Sequence, residues 1–262
     1  MSELNVELAR QAIVKHTRRL AESAAAAGPG AAVPTTPEWT VADLVAHVGQ
    51  TENWVAEIVE RRIVDPSRLP TEMAVLPEDP DAWPAWLAES AQRVVSAFSD
   101  DALEAPVFNA AADGRTGGRF WLSSVLNETV IHGFDADAAA GRPVEVDAGV
   151  AAALISNHLA MLTSPTWEMA RPASAHAIRG TGQTLRLLAT DTADAWFVER
   201  QPEGAVLQSG SRPADVTVTG PARSLLLTLT RRVPLSGGEG ISVSGDAGLA
   251  QHWVDNTAHV AG

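Results

Sequence analysis

The sequence predicts a two-part α plus α+β protein, a bundle of long amphipathic helices followed by a smaller mixed unit. Apolar residues in the first half recur at spacings of three and four, whereas beyond about residue 180 they alternate. The charge also shifts near the middle: residues 1–150 carry 23 acidic and 11 basic side chains, residues 151–262 nine and eight. Between the two, Ser164-Pro165 and Arg171-Pro172 read as linker punctuation. Domains are therefore expected at 1–165 and 166–262. A chain of 262 residues, 45% apolar, is long enough for each to bury a core.

The elements follow in order. Ser2 can cap a helix from Glu3 to about Ala27, which Gly28-Pro29-Gly30 stops. A Pro- and Thr-rich loop follows over Val33–Pro37. Thr40 reads as an N-cap, with Asp43 placing an anion in the positive first turn. The helix it opens carries Leu44, Val48, Val55 and Ile58 and ends near Arg62. A third runs from about Asp81 to Phe98, with Pro84 in its first turn. A fourth runs from about Gly118 to Ala140 and stops at Gly141. Four such helices suffice for an antiparallel bundle. A fifth, about Asp147 to Leu162, either packs on the bundle or leads out of it. Strands are expected at Thr184–Ala189, Ala195–Glu199, Gly204–Gln208, Ala214–Thr219 and Ile241–Ser244, with helices at Ala222–Arg231 and Ala247–Thr257.

Composition excludes several chemistries. With no cysteine there is no disulfide framework, no zinc site with thiolate ligands, no iron–sulfur cluster and no cysteine nucleophile. With no tyrosine there is no phenolic acid or base. A net charge of −13 argues against a nucleic-acid partner. No stretch has the roughly 18 apolar residues a membrane helix needs. The opening MSELNVELAR lacks the order of a secretory signal, so a cytoplasmic address is expected.

Three polar residues stand on otherwise apolar helix faces. His47 follows Leu44 by three and precedes Trp54 by seven. On the fourth helix Trp121, Val125, Glu128 and His132 share one face, so Glu128 and His132 can converge at i and i+4. A carboxylate and two imidazoles inside a bundle are costly unless paired or ligated. Two histidines and a carboxylate are common zinc ligands that leave positions open for substrate. The bland alternative is a hydrogen-bonded core histidine beside an ordinary i, i+4 pair. His16, His158, His176, His252 and His259 lack such a constellation and read as surface or capping residues. Gly180-Thr-Gly-Gln and Gly237-Gly-Glu-Gly lack a phosphate-loop context and read as turns. Trp39, Trp54, Trp83, Trp86 and Trp121 read as core or pocket lining. Arg231-Arg232 either complement a helix C-terminus or bind an anion.

The segment Pro37-Glu-Trp-Thr-Val-Ala-Asp-Leu-Val-Ala-His47-Val resembles the second-helix signature of the mycothiol-dependent maleylpyruvate isomerase family, within the DinB-like metal bundles. Phe120-Trp-Leu-Ser-Ser-Val-Leu-Asn-Glu128-Thr-Val-Ile-His132-Gly-Phe-Asp-Ala resembles its fourth-helix signature. The C-terminal half, with Val216-Thr-Val-Thr-Gly-Pro-Ala-Arg and Gly245-Asp through Trp253, resembles the family's sterol-carrier-like domain. The resemblance implies that His47, Glu128 and His132 hold a divalent metal, with zinc the expected ion. It also implies that a small thiol, mycothiol, replaces the missing cysteine. A metal lowers a thiol's pKa and holds it as thiolate. The thiolate can add to an unsaturated acid, and expulsion after bond rotation gives cis–trans isomerisation, whereas retention gives S-transfer. Arg232 falls where the family places a basic residue near its site.

The sequence thus predicts a metal- and thiol-dependent isomerase or S-transferase acting on a small, electrophilic, anionic substrate. The alternatives are a metal-dependent hydrolase of thiol conjugates and a non-catalytic protein that only sequesters a small ligand.

Overall fold

The computed structural model describes residues 5–208 and 212–257. Two compact units form: one runs up to Glu145, apart from residues 111–113, and the other starts at Val146.

The first unit is the bundle. Helix α1 (Val6–Ala27) is capped by Asn5, whose side chain accepts from Leu8 N–H at 2.9 Å. The expected cap at Ser2 and start at Glu3 lie outside the described residues. The stretch expected as loop instead folds into a small antiparallel hairpin, β1 (Ala32–Val33) and β2 (Thr36–Thr40). Thr40 then caps α2 (Val41–Glu60) as expected. Its hydroxyl accepts from Asp43 N–H while the Asp43 carboxylate accepts from Thr40 N–H, a reciprocal capping box. Helices α3 (Trp83–Ala97), the short α4 (Asp100–Glu104) and α5 (Gly117–Ala139) complete the unit. Both α1 and α2 pack against α3 and α5. Leu20, Val41, Leu44, Val48, Leu87 and Ala136 meet in the core. Gly49 lets α2 approach α3 closely, because a Cβ there would stand 2.2 Å from the Trp86 ring.

The second unit opens with α6 (Ala148–Leu162), capped by Asp147. This helix leads out of the bundle: it packs within the mixed unit, and Trp196 Nε1–H donates to Ser156 Oγ at 2.8 Å. The units therefore divide at 145/146, whereas the proline punctuation predicts 165/166. The reason is local. Pro165 and Pro172 do not mark an open linker; each sits in the first turn of a short helix, α7 (Pro165–Ala170) and α8 (Pro172–Ala177), where a missing N–H costs nothing.

Strands β3 (Thr184–Ala189), β4 (Ala195–Gln201), β5 (Gly204–Gln208), β6 (Val216–Gly220) and β7 (Ser242–Gly245) form one sheet in the order β5-β4-β3-β6-β7. All neighbours are antiparallel except β3 and β6, which run parallel with Leu185 opposite Val216 and Leu187 opposite Val218. Helices α9 (Ala222–Leu229) and α10 (Ala247–Thr257) pack on β6. Alternate burial along β3 and β6 gives the sheet a covered face.

Candidate metal centre

The hairpin and the capping box set where His47 points. Thr40 fixes the start of α2, and His47 lies about two turns further on, facing α5. From α5, Glu128 and His132 project one turn apart on the same face. The donor atoms of His47, Glu128 and His132 all lie within 4.8 Å of one another. Glu128 Oε2 stands 3.0 Å from His47 Nε2 and 3.3 Å from His132 Nε2.

His132 is held from behind. Its Nδ1 pairs with Asp135 Oδ2 at 2.9 Å, and Asp135 Oδ1 accepts from the Thr35 hydroxyl at 2.6 Å. Asp135 is fully buried. An Nδ1–H···carboxylate bond fixes the tautomer so that Nε2 faces Glu128. Trp39, from β2, lies 5.6 Å from the His132 ring in a stacked arrangement and 5.0 Å from that of His47. The hairpin thus supplies an aromatic wall and, through Thr35, an anchor for Asp135.

Charge is concentrated here. Burial alone would raise the Glu128 pKa, but hydrogen bonds and charge from His132 and His47 hold it well below the usual carboxylate range. Burial alone would lower that of His132, but Asp135 and Glu128 overcome it and raise it to about 9. The His132 side chain is only 6% exposed, whereas those of His47 and Glu128 are 36% and 30% exposed. One wall is therefore closed and the other open to a ligand.

The donor set fits a divalent metal. Two ligands at about 2.0–2.1 Å in a tetrahedral shell stand about 3.3 Å apart, and both Glu128–imidazole separations are already close to that. Two imidazoles, one carboxylate and an open side match an ion that keeps positions for exchangeable ligands.

The structure thus brings together all three expected ligands. Arg232 lies in the second unit, just after α9, where its guanidinium donates to the Thr230 carbonyl at 2.9 Å. Two histidines expected at the surface are buried: His16 at 2% exposure and His158 at 4%. His16 lies between Ile13 and Leu20 at helical spacing, so it shares the inward stripe of α1. His176 and His252 are exposed, as expected, and His259 lies outside the described residues. Sequence reasoning missed Asp135 and Thr35. The signal for Asp135 was its position three residues after His132; for Thr35 there was none, because its role depends on the hairpin.

Two histidines and a carboxylate converging from two packed helices, with a following α+β unit, define a helical-bundle protein with a candidate metal site and an appended mixed domain. Residues 10–137 match the mycothiol maleylpyruvate isomerase N-terminal domain, and the helical bundle they form belongs to that family. Crystal structures of the mycothiol-dependent maleylpyruvate isomerase and of a mutant of it each align over 93% of this chain and 96% of theirs. Both are 18% identical to it with a TM-score of 0.54, a likeness in fold. A comparison with curated proteins gave no match.

Proposed function

We propose that this chain is a metal-dependent enzyme that uses a small thiol, mycothiol, to isomerise or S-conjugate a small electrophilic anion. The observation that carries this reading is the convergence of His47, Glu128 and His132 with one side open, in a bundle of this family whose chain has no cysteine.

A divalent metal, zinc being the expected ion, supplies positive charge that keeps the added thiol deprotonated at neutral pH. The chain's own residues do the rest. Asp135 holds the proton of His132 on Nδ1 and leaves Nε2 as a donor pair. Glu128 stays ionised between the two imidazoles. Trp39 covers both rings and restricts water on that side. His47 and Glu128, the more exposed donors, border the space in which the reactants meet. The thiolate adds to one carbon of the substrate's double bond; after rotation about the remaining single bond, its expulsion restores the double bond and the free thiol. If the carbon–sulfur bond is kept and a proton is taken up, the product is the S-conjugate. Arg232 is proposed, from the family resemblance, to bind the substrate carboxylate through its planar fork. A cytoplasmic setting, where small thiols stay reduced, suits such a cosubstrate.

The test is turnover of maleylpyruvate and other cis-unsaturated acids with purified mycothiol, with and without chelator. Activity that requires both thiol and metal supports the proposal. Full-rate turnover without thiol, or hydrolysis of a preformed thiol conjugate as the only activity, contradicts it.

A further inference from the structure

The second unit carries a half-open pocket that the proposed chemistry does not use. Its volume is about 340 Å³, and it lies among the end of α6, helices α7 and α8, and the turn joining β4 to β5. Cavities that hold small organic ligands begin at about this size. Its lining is mixed, with an apolar floor of Leu162, Trp167 and Ile178, each at most 3% exposed.

Two polar atoms on this lining are left over. Ser164 is 7% exposed, and its hydroxyl has no hydrogen-bond partner. It occupies the N-cap position of α7 yet makes no capping bond, so the usual outlet for a serine at that position is not taken. Arg179 Nε is likewise buried and unpartnered, while the far end of the same guanidinium donates to Glu168 Oε1 at 2.6 Å. A buried polar atom without a partner is costly, so these two atoms are where the lining gains most from a ligand's polar group. Both can donate, and both therefore ask for an acceptor. The charges on the lining decide what kind. Glu168 already neutralises Arg179, and Glu203 adds a further negative charge, so an anion is disfavoured.

We propose that this pocket is a second ligand site, for a small uncharged molecule of about ten non-hydrogen atoms with an apolar body and one carbonyl-type acceptor. The body packs on Leu162, Trp167 and Ile178; the oxygen accepts from Ser164, with Arg179 Nε–H the second donor on the same lining. This ligand differs in charge from the anion proposed at the metal centre, and the site stands or falls independently of that reading.

The test uses the full chain and three probes of similar size: acetophenone, benzoate and ethylbenzene. The readout is the indole N–H resonance of Trp167, assigned with Trp167→Phe. Acetophenone is expected to shift it saturably at millimolar concentration, with benzoate at least about tenfold weaker. Ser164→Ala should weaken acetophenone roughly five- to tenfold, the loss of one hydrogen bond, and leave ethylbenzene unchanged. Ala175→Leu, which fills the void, should abolish the shift while metal content stays at the wild-type level. If that variant fails to fold, Val206→Trp on the exposed rim is expected to block entry. No saturable shift with acetophenone means that the pocket holds water only, and overturns the proposal. Equal binding of benzoate, or an unchanged affinity in Ser164→Ala, overturns the assigned chemistry.

Discussion

A protonated imidazole cannot offer its Nε2 lone pair to a metal, so the raised pKa of His132 has a measurable consequence. At about 9 it leaves His132 charged at neutral pH in the metal-free protein. Metal uptake at pH 7 should then release about one proton from this residue, seen by calorimetry as a dependence of the binding enthalpy on the buffer's ionisation enthalpy. Above pH 10 the release should vanish; a buffer-independent enthalpy at pH 7 would refute it. Asp135→Asn keeps the shape of the pair and removes its charge, and should weaken metal binding by about 10–100-fold, read by competition with a chromogenic chelator. At this scale the sequence was partly legible. His47, Glu128 and His132 announce themselves because polar residues on an apolar stripe need a reason to be there. Trp39 was readable as pocket lining, but Thr35 was not, because it acts through a short hairpin that the sequence reads as loop. His16 misled for the opposite reason: its stripe was readable, but a lone histidine suggests the surface.

Helix α2 carries a second acidic group that the proposed chemistry leaves aside. Glu52 is 1% exposed, and its Oε1 accepts from Thr17 at 2.6 Å and from Thr129 at 3.3 Å. Burial pushes its pKa up to about 8 despite both hydroxyls. A carboxyl whose folded pKa exceeds its unfolded value of about 4.5 favours folding at low pH and loses that advantage as pH rises through 8. Glu52→Gln, which keeps the acceptor and cannot ionise, should therefore raise stability at pH 8 by up to roughly 4 kcal/mol, with the gain shrinking towards pH 4.5. Urea unfolding at the two pH values checks this, and a loss of stability at pH 8 would show that the carboxylate is needed. Where α2 meets α3 the constraint is steric. Gly49→Ala drives a methyl into the Trp86 ring and should cost about 1–3 kcal/mol; an unchanged urea midpoint would contradict the close approach. The long helices and the strands were legible because their periods differ. What remained hidden was the membership of α6, since an apolar helix fits either unit until a partner such as Trp196 is seen to bind Ser156.

On the scale of the whole molecule, the division of labour follows the charge. The bundle-bearing half holds almost all of the net −13, and the half after residue 150 is nearly neutral. An anionic substrate meets an unfavourable net field unless a cation pairs with it, which is the role proposed for Arg232. Arg232→Lys should then impair turnover with metal content unchanged, since a point charge cannot reproduce a bidentate fork; normal kinetics in Arg232→Ala would contradict that role. Everything else proposed about activity rests on the metal. Elemental analysis of the purified chain is therefore the decisive measurement, made on the wild type and on His132→Ala with helicity checked by circular dichroism. The expected result is about one divalent ion per wild-type chain and almost none in the variant, with the helical signal unchanged. Full metal occupancy in a folded His132→Ala would contradict the assignment of His47, Glu128 and His132 as the metal centre.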